Sequence, residues 1–299
     1  ILQPDPTRKN YLLRDGEMSA VHFGFVSNPI KLVMLNANGF NAYSYKSILT
    51  PLGFHSVALD MRGHGMSNLP INIDTLKDWN IFRDDVVEFF DRYIKSPVIL
   101  AGHSYGAVTG ILAMPEIKNK VSGFVGFDPV LLRWPIRYLS HFSWFRDITK
   151  QKLAIARHAG RRKFEFDNFE TAFNRYKERG AFRNFSDDAL SDYLTGGLIP
   201  NGKGLKLSCE PLTEQAIFVA QAHNVFKSIK YLPKNNSNVI FAGKGGSVSF
   251  KSGRHAFKRE LGQPSVSFDL NLDHMFPINK PEFAIDNLRK ALSRAALNF

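Results

Sequence analysis

The 299-residue chain contains a single cysteine, Cys209, so it cannot form an internal disulfide. This cysteine usage fits a reducing compartment, and we predict a cytoplasmic location. No apolar run approaches the roughly 20 residues that a transmembrane helix needs, and residues 1–10 lack the charged-then-apolar order of a signal peptide. The sequence starts at Ile1 without an initiator methionine, which leaves room for residues before it.

Metal and phosphate motifs are also missing. The one cysteine and nine histidines do not have the spacing of zinc ligands. The glycine-rich stretch K-G-G-S at residues 244–247 fails the phosphate-loop pattern, which needs Ser or Thr directly after the lysine. We therefore predict no metal and no cofactor.

Acidic residues are scarce relative to basic ones. The chain has 27 Asp and Glu against 39 Lys and Arg, a net charge of +12. Between Arg133 and Arg183, 13 basic residues stand against 5 acidic ones, so two thirds of the excess lies in this segment. Such a segment steers anionic substrates, contacts an anionic surface, or is simply a solvated basic face.

Two parts of the chain alternate short apolar runs with helical patterns, which is typical of βαβ units in a parallel sheet. After residue 129 this rhythm breaks, and aromatic and basic residues dominate until about residue 235. We predict an α/β core formed by residues 1–129 and 236–299. Residues 130–235 would form a mostly helical insertion, a cap or lid, with a turn at Asn201-Gly202. The sequence does not define the oligomeric state.

One apolar run ends in V-I-L-A-G-H-S-Y-G-A, residues 98–107, where Ser104 lies between Gly102 and Gly106. This G-x-S-x-G pattern forms a nucleophile elbow when a strand precedes it and a helix follows, because the strained turn brings backbones close together. Both conditions are met here, since small helical residues follow from Ala107. We predict that Ser104 is a nucleophile; the alternative is a small residue in a tight turn.

A serine nucleophile needs a base to take its proton. Catalytic residues of open α/β sheets gather at the carboxyl ends of strands, and His274, in L-D-H-M-F-P, lies just beyond the last predicted strand. We therefore predict that His274 is the base. His103 is expected to pack beneath the elbow, and His64, in D-M-R-G-H-G, to join a loop hydrogen-bond network.

The motifs G-H-S-Y-G at 102–106, D-M-R-G-H-G-M-S at 60–67 and the late Asp273-His274 together resemble the α/β-hydrolase superfamily. The resemblance covers about residues 30–130 and 236–299. It implies a mostly parallel eight-stranded sheet flanked by helices, and a nucleophile, an acid and a histidine in that chain order. The insertion would correspond to the variable cap of the family.

The resemblance also implies an oxyanion hole. One backbone N–H would come from Tyr105, directly after the nucleophile. The other would come from Asn38 in N-A-N-G-F, residues 36–40, where the Asn38 side chain offers a further polar contact. Asn36 occupies a position where family members often carry histidine.

The acid is harder to assign. Most family members place an aspartate after the strand that corresponds to N-V-I-F-A-G, but here no carboxylate follows residues 238–243 before Glu260. Some dehalogenase-like members instead place the acid at the end of the strand after the nucleophile helix. That position is Asp128, in G-F-D-P. We predict Asp128 as the acid, with Asp273 or a distant glutamate as alternatives.

These residues predict a serine hydrolase that cleaves carboxylic esters through an acyl-enzyme, a carboxylesterase for short-to-medium acyl or aryl esters. Serine at the elbow argues against dehalogenase and epoxide-hydrolase chemistry, which use a carboxylate nucleophile. The alternatives are a carbon–carbon bond hydrolase of ring-cleavage dienoates, which the basic cap would suit, and a non-catalytic ligand-binding member of the fold.

The expected partner is a small-molecule ester, apolar or anionic. Cap aromatics that face the core would roof an apolar pocket for it. A lid that rests on lipid is a further interpretation of the same residues. Nucleic acid is not expected, because the elbow and a helical cap do not fit that role.

Overall fold

The computed structural model describes residues 4–246 and 251–296. Its strands are β1 (Thr7–Leu13), β2 (Gly16–Phe23), β3 (Leu32–Leu35), β4 (Ser56–Leu59), β5 (Val98–His103), β6 (Val121–Phe127), β7 (Glu165–Phe166), β8 (Leu198–Asn201), β9 (Gly204–Leu207), β10 (Ser237–Lys244) and β11 (Val266–Asp273). Its α-helices are α1 (Lys46–Leu49), α2 (Asn80–Tyr93), α3 (Tyr105–Ile117), α4 (Trp134–Leu139), α5 (Ser143–Lys152), α6 (Ala154–Ala159), α7 (Phe169–Tyr176), α8 (Asp187–Gly197), α9 (Pro211–Val219), α10 (Lys251–Leu261), α11 (Phe276–Asn279) and α12 (Pro281–Ala296).

Eight strands form one sheet in the order β1-β2-β4-β3-β5-β6-β10-β11. β1, β2 and β4 pair antiparallel, and every pair from β4 to β11 is parallel. The predicted α/β class with a mostly parallel eight-stranded sheet is therefore confirmed. The parallel order also brings the carboxyl ends of β5, β6 and β11 to one edge, where the predicted site residues lie.

Both faces of the sheet are covered, as the continuous apolar runs predict for parallel strands. Side chains alternate along a strand, so Val33 and Leu35 of β3 pack with α2 and α3 while Leu32 and Met34 pack with α1 and α12 on the other face. Each large apolar side chain fully buried in this way stabilises the fold by about 1.5–3 kcal/mol.

Between β6 and β10 the chain forms six helices and a second, three-stranded antiparallel sheet in the order β7-β9-β8. The predicted Asn201-Gly202 turn lies in the β8–β9 hairpin, where Gly202 adopts φ +60°. Strands of two to four residues are too short to produce a recognisable period-2 pattern, which is why the sequence predicts a mostly helical insertion without strands here. The division at residues 130 and 235 stays a prediction.

The structure changes the start of one predicted helix. Apolar residues near helical spacing after Asp74 predict a helix that Asp74 caps and that runs to about Ile94, but α2 begins at Asn80. The Asp78 carboxylate accepts the backbone N–H of Asn80 at 3.0 Å, close to the true helix start. Leu76 and Trp79, which precede Asn80, are buried but belong to an irregular segment. Their spacing resembles that of a helix although the segment is not helical.

Within the described ranges, no helix is both long and apolar enough to cross a membrane.

Four buried histidines make folding stability depend on pH. Burial lowers the pKa of His22 and His64 to about 4 and that of His103 and His223 to about 3, from an ordinary value of 6.5. The folded state therefore binds fewer protons than the unfolded chain. The stabilisation is complete above pH 6.5 and is lost as the pH falls to about 4 for His22 and His64 and to about 3 for His103 and His223, by about 1.4 kcal/mol per pH unit for each histidine. We expect the free energy of unfolding in urea to fall by several kcal/mol between pH 7.5 and pH 5.

His22→Gln is expected to reduce the slope of the unfolding free energy against pH by an amount that corresponds to about one proton. His255→Gln, which alters an exposed side chain, serves as the matched control. A free energy of unfolding that stays constant between pH 7.5 and pH 5 would contradict the prediction.

Candidate active site

Ser104 lies on the turn between β5 and α3, with φ +56° and ψ −117°. The turn is possible only with glycine on either side. A Cβ on Gly102 would lie 2.6 Å from the Ala107 backbone, and one on Gly106 would lie 2.5 Å from the backbone oxygen of Asn36. The Ser104 N–H donates to the carbonyl of Phe127 at 2.8 Å, which fixes the turn to the end of β6.

The structure brings Ser104, His274 and Asp128 into one line of hydrogen bonds. Ser104 Oγ lies 3.0 Å from His274 Nε2, and His274 Nδ1 lies 2.5 Å from Asp128 Oδ2. Asp128 is completely buried, whereas a quarter of the His274 side chain is exposed. A carboxylate that accepts from Nδ1 selects the imidazole tautomer whose Nε2 can accept the hydroxyl proton of serine.

β10 orients the Asp128 carboxylate. The Asp128 N–H donates to the carbonyl of Ile240 at 2.7 Å, and Oδ1 accepts the N–H of Ala242 at 2.9 Å. These bonds direct the second oxygen, Oδ2, towards His274. β10 therefore holds the carboxylate of Asp128, which directly follows the neighbouring strand β6.

Ser104 and Asp128 share an uncommon backbone conformation. Among the described residues, positive φ outside glycine occurs at Ser104 (+56°), Asp128 (+44°) and Glu178 (+59°). Such conformations cost about 1–3 kcal/mol each and concentrate at functional sites. Two of these three residues therefore lie in the same hydrogen-bonded line.

Asp273, the alternative acid, points elsewhere. Its carboxylate accepts from the side-chain amides of Asn279, at 3.0 Å, and Asn184, at 3.1 Å. The predicted lack of an acid in the loop after β10 concerns residues 244–249. Of these, residues 247–249 lie outside the described part of the chain.

The two predicted oxyanion-hole residues, Tyr105 and Asn38, lie in different surroundings. Tyr105 is the first residue of α3, so its N–H belongs to the helix end that carries partial positive charge. Asn38 is buried, and its side-chain amide donates to the carbonyl of Glu214 at 3.0 Å. The next N–H, of Gly39, donates to His64 Nε2 at 3.0 Å. The Asn38 side chain thus anchors its loop rather than standing free to contact a substrate.

Sequence reasoning misses the ion pair behind this loop. Arg162 Nη2 lies 3.0 Å from Glu214 Oε2, and a Cβ on Gly39 would lie 2.5 Å from Glu214 Oε1. Burial raises the pKa of Glu214, and the charge of Arg162 opposes that rise. A salt bridge between positions 52 residues apart has no sequence signature. The one sequence signal for this pair is the glycine at position 39, where a side chain would collide with Glu214.

A second feature that the sequence does not reveal links the Asn38 loop to His274. The Ala37 N–H donates to the hydroxyl of Tyr45 at 2.9 Å, and that hydroxyl lies 3.0 Å from His103 Nδ1. His103 Nε2 donates to the carbonyl of His274 at 2.8 Å. Because that carbonyl can only accept, Nε2 carries the proton and Nδ1 accepts from Tyr45. His103 is thus a neutral bridge beneath the elbow.

Tyr45→Phe is expected to weaken both ends of this bridge. It leaves the buried Ala37 N–H and His103 Nδ1 without their shared partner, which should lower the free energy of unfolding by about 1–3 kcal/mol. Because Ala37 precedes Asn38, we also expect kcat to fall by about tenfold. Tyr43→Phe, in the same turn, is the matched control. Equal effects of the two substitutions on unfolding and kcat would refute the bridge.

Across the described parts of the chain, no group of three or more His, Cys, Asp or Glu side chains is arranged as metal ligands would be.

The eight-stranded sheet and the strand–serine–helix turn give this chain the α/β-hydrolase fold. A family model described as serine aminopeptidase, S33 matches residues 37–178. The chain is 32% identical over 75 residues to 2-(acetamidomethylene)succinate hydrolase of Mesorhizobium japonicum, an alignment that spans 25% of this chain and 26% of that protein.

Solved structures agree with the fold along nearly the whole chain. E-2-(acetamidomethylene)succinate hydrolase superposes with a TM-score of 0.76 at 16% identity, covering 97% of this chain and 100% of the other. N-formylmaleamic acid deformylase of Pseudomonas putida gives a TM-score of 0.62 at 15% identity, covering 95% and 100%. At these identities the likeness concerns the fold.

Proposed function

We propose that this protein is a serine hydrolase whose catalytic residues are Ser104, His274 and Asp128. The observation that carries the proposal is the unbroken line from Asp128 Oδ2 through His274 to Ser104 Oγ. Serine becomes nucleophilic when an adjacent base accepts its proton and a third group orients that base. Each of these requirements has a residue at hydrogen-bond distance.

The reaction follows from these positions. Ser104 Oγ bonds to the acyl carbon of the substrate while its proton passes to His274 Nε2. His274 then gives that proton to the leaving atom as its bond to the acyl carbon breaks. Water next attacks the acyl-enzyme; one water proton passes to Nε2 and returns to Ser104 Oγ as the acid product leaves. Asp128 stabilises the imidazolium in both steps.

The developing oxyanion would be held by the backbone N–H groups of Tyr105 and Asn38. Loss of one such donor typically lowers the rate by about a hundred- to a thousandfold. Support for the Asn38 assignment comes from the rigidity of its loop, which Glu214 fixes through the Asn38 side chain and His64 fixes through Gly39. A rigid donor reorganises little during the reaction, which is the basis of its effect.

For the substrate, we favour a small, carboxylate-bearing product of ring cleavage over a simple carboxylic ester. The two named relatives act, by their names, on a substituted succinate and on a maleamic acid. The excess of 13 basic over 5 acidic residues between Arg133 and Arg183 would attract such anions. The carboxylesterase prediction becomes the second candidate, because a serine hydrolase site accepts ester carbonyls equally well.

We further propose that residues 130–235 act as the cap over this site. Support comes from Arg162 and Glu214, both in this segment, because they pack directly behind the Asn38 loop. A cytoplasmic location stays a prediction from the single cysteine.

A paired substrate series tests the substrate class. The two charged substrates are 2-(acetamidomethylene)succinate and a ring-cleavage dienoate. Each is compared with its own methyl ester at a carboxylate remote from the reacting group, because methylation removes that charge and keeps the reacting group. We expect kcat/KM to be about 100-fold higher for the charged member of the preferred pair, as the loss of a charge-assisted contact implies.

The same assay includes p-nitrophenyl esters of increasing chain length. Faster turnover of these neutral esters than of every carboxylate substrate would favour the carboxylesterase. A fluorophosphonate probe that fails to label wild-type protein, together with no turnover of any substrate, would favour a ligand-binding role and overturn the hydrolase.

A further inference from the structure

The cap carries an unusual concentration of exposed apolar side chains. Of the 16 large apolar side chains that are exposed in the described chain, eight lie between Trp134 and Ile155. Four of them are aromatic: Trp134, Tyr138, Phe142 and Trp144, with exposed fractions of 41–69%. Four are aliphatic: Ile136, Ile148, Leu153 and Ile155. We call residues 133–163 the cap patch. Exposed apolar groups clustered in this way mark interaction surfaces.

Three of the four exposed aromatic side chains of the cap patch are in contact with one another. The rings of Tyr138 and Phe142 lie 5.8 Å apart, and Phe142 stacks on Trp144 at 6.2 Å. Buried Arg146 holds the turn beneath them, because its guanidinium donates to the carbonyls of Ser140 and His141 at 2.8 and 3.0 Å. The aromatic groups are thus presented to solvent by a fixed turn between α4 and α5.

The charge of the cap patch is almost entirely positive. Residues 133–163 contain nine Lys and Arg and one acidic residue, Asp147, which pairs with Lys150 at 3.0 Å. Lys152, Arg161 and Lys163 of the cap patch are exposed. A partner for this surface must therefore supply negative charge together with an apolar interior.

We propose that the cap patch docks on the surface of an anionic phospholipid bilayer. Tryptophan and tyrosine favour the headgroup level of a membrane, aliphatic side chains enter the acyl boundary, and basic residues bind anionic headgroups. A second copy of the chain would bring two positive patches together. A nucleic acid would supply the charge but no apolar phase for Ile148, Leu153 and Ile155.

This docking is separate from the proposed chemistry at Ser104. Its failure would leave the hydrolase proposal intact, and Ser104→Ala should bind vesicles like the wild type. The chain also contains its own reporter: Trp79 is already buried, so a change in tryptophan emission on binding must come from Trp134 and Trp144.

The test is co-sedimentation with vesicles of phosphatidylglycerol and phosphatidylcholine, compared with pure phosphatidylcholine. We expect binding to the anionic vesicles alone, a blue shift of tryptophan emission, and strong weakening in 0.5 M salt. Lys152→Gln with Arg161→Gln should weaken binding about 25-fold, at about fivefold per charge. The matched control pair, Lys203→Gln with Lys290→Gln, alters exposed lysines elsewhere and should retain binding.

The apolar half of the surface is tested by the triple variant Trp134→Ser, Phe142→Ser and Trp144→Ser, expected to weaken binding by about 100-fold or more. Leu12→Ser with Leu270→Ser, both highly exposed elsewhere, is its control. Thermal unfolding verifies that each variant is folded. Absence of vesicle binding, binding without a blue shift, preference for a single-stranded oligonucleotide, or self-association lost in the triple variant would each overturn the proposal.

Discussion

Ser104→Ala is expected to lower kcat by about a millionfold, the loss typical when the nucleophile of a catalytic triad is removed. Without Oγ there is no acyl-enzyme, and His274 loses the hydroxyl that lies 3.0 Å from its Nε2. Alanine removes one atom and leaves the backbone bond from residue 104 to Phe127 in place. The measurement is steady-state turnover of the preferred substrate, with fluorophosphonate labelling as the second readout.

The control for this substitution is Ser228→Ala, which removes a buried hydroxyl far along the chain and should leave kcat within twofold. Turnover by Ser104→Ala at more than about a thousandth of the wild-type rate would indicate that Ser104 is not the nucleophile.

The second large effect is expected for Asp128→Asn, which should lower kcat by about ten thousandfold with little change in KM, as amide replacement of the acid does in serine triads. An amide in this place can keep the bond from Oδ1 to the Ala242 N–H. Its other end, an NH₂ group, would then face His274 Nδ1 and favour the tautomer whose Nε2 carries a proton. That tautomer cannot accept the proton of Ser104.

Asp273→Asn is the matched control, since it makes the same chemical change one residue before His274. Its carboxylate contacts Asn184 and Asn279, so we expect kcat to stay within tenfold of wild type. If Asp273→Asn lost as much activity as Asp128→Asn, the assignment of Asp128 as the acid would be wrong.

The local parts of the site could be predicted from the sequence. The elbow can be recognised from the sequence because the strand, the two glycines and the small-residue helix all lie next to Ser104 in the chain. His274 follows from its place after the last strand. Asp128 needed the resemblance to a family and the lack of a competing carboxylate, because an aspartate after a strand carries no signal of its partner.

The remaining features depend on tertiary contacts. The positive φ of Asp128, the bridge from Tyr45 through His103 and the Arg162–Glu214 pair join residues that no short motif connects. Composition also does not reveal which aromatic residues of the insertion are buried and which are exposed. Phe182 is buried, whereas Trp134 and Trp144 face solvent.

The Ser104 N–H donates to the carbonyl of Phe127, the residue just before Asp128, and so joins the proposed nucleophile to the proposed acid within one strand–helix–strand unit. The distance between the two is thus set by about two dozen consecutive residues, and only His274 must be delivered from elsewhere in the chain. Under the proposed assignment, the turn after β10 supplies no catalytic residue. A change in the length or composition of that turn should therefore leave the proposed chemistry unchanged.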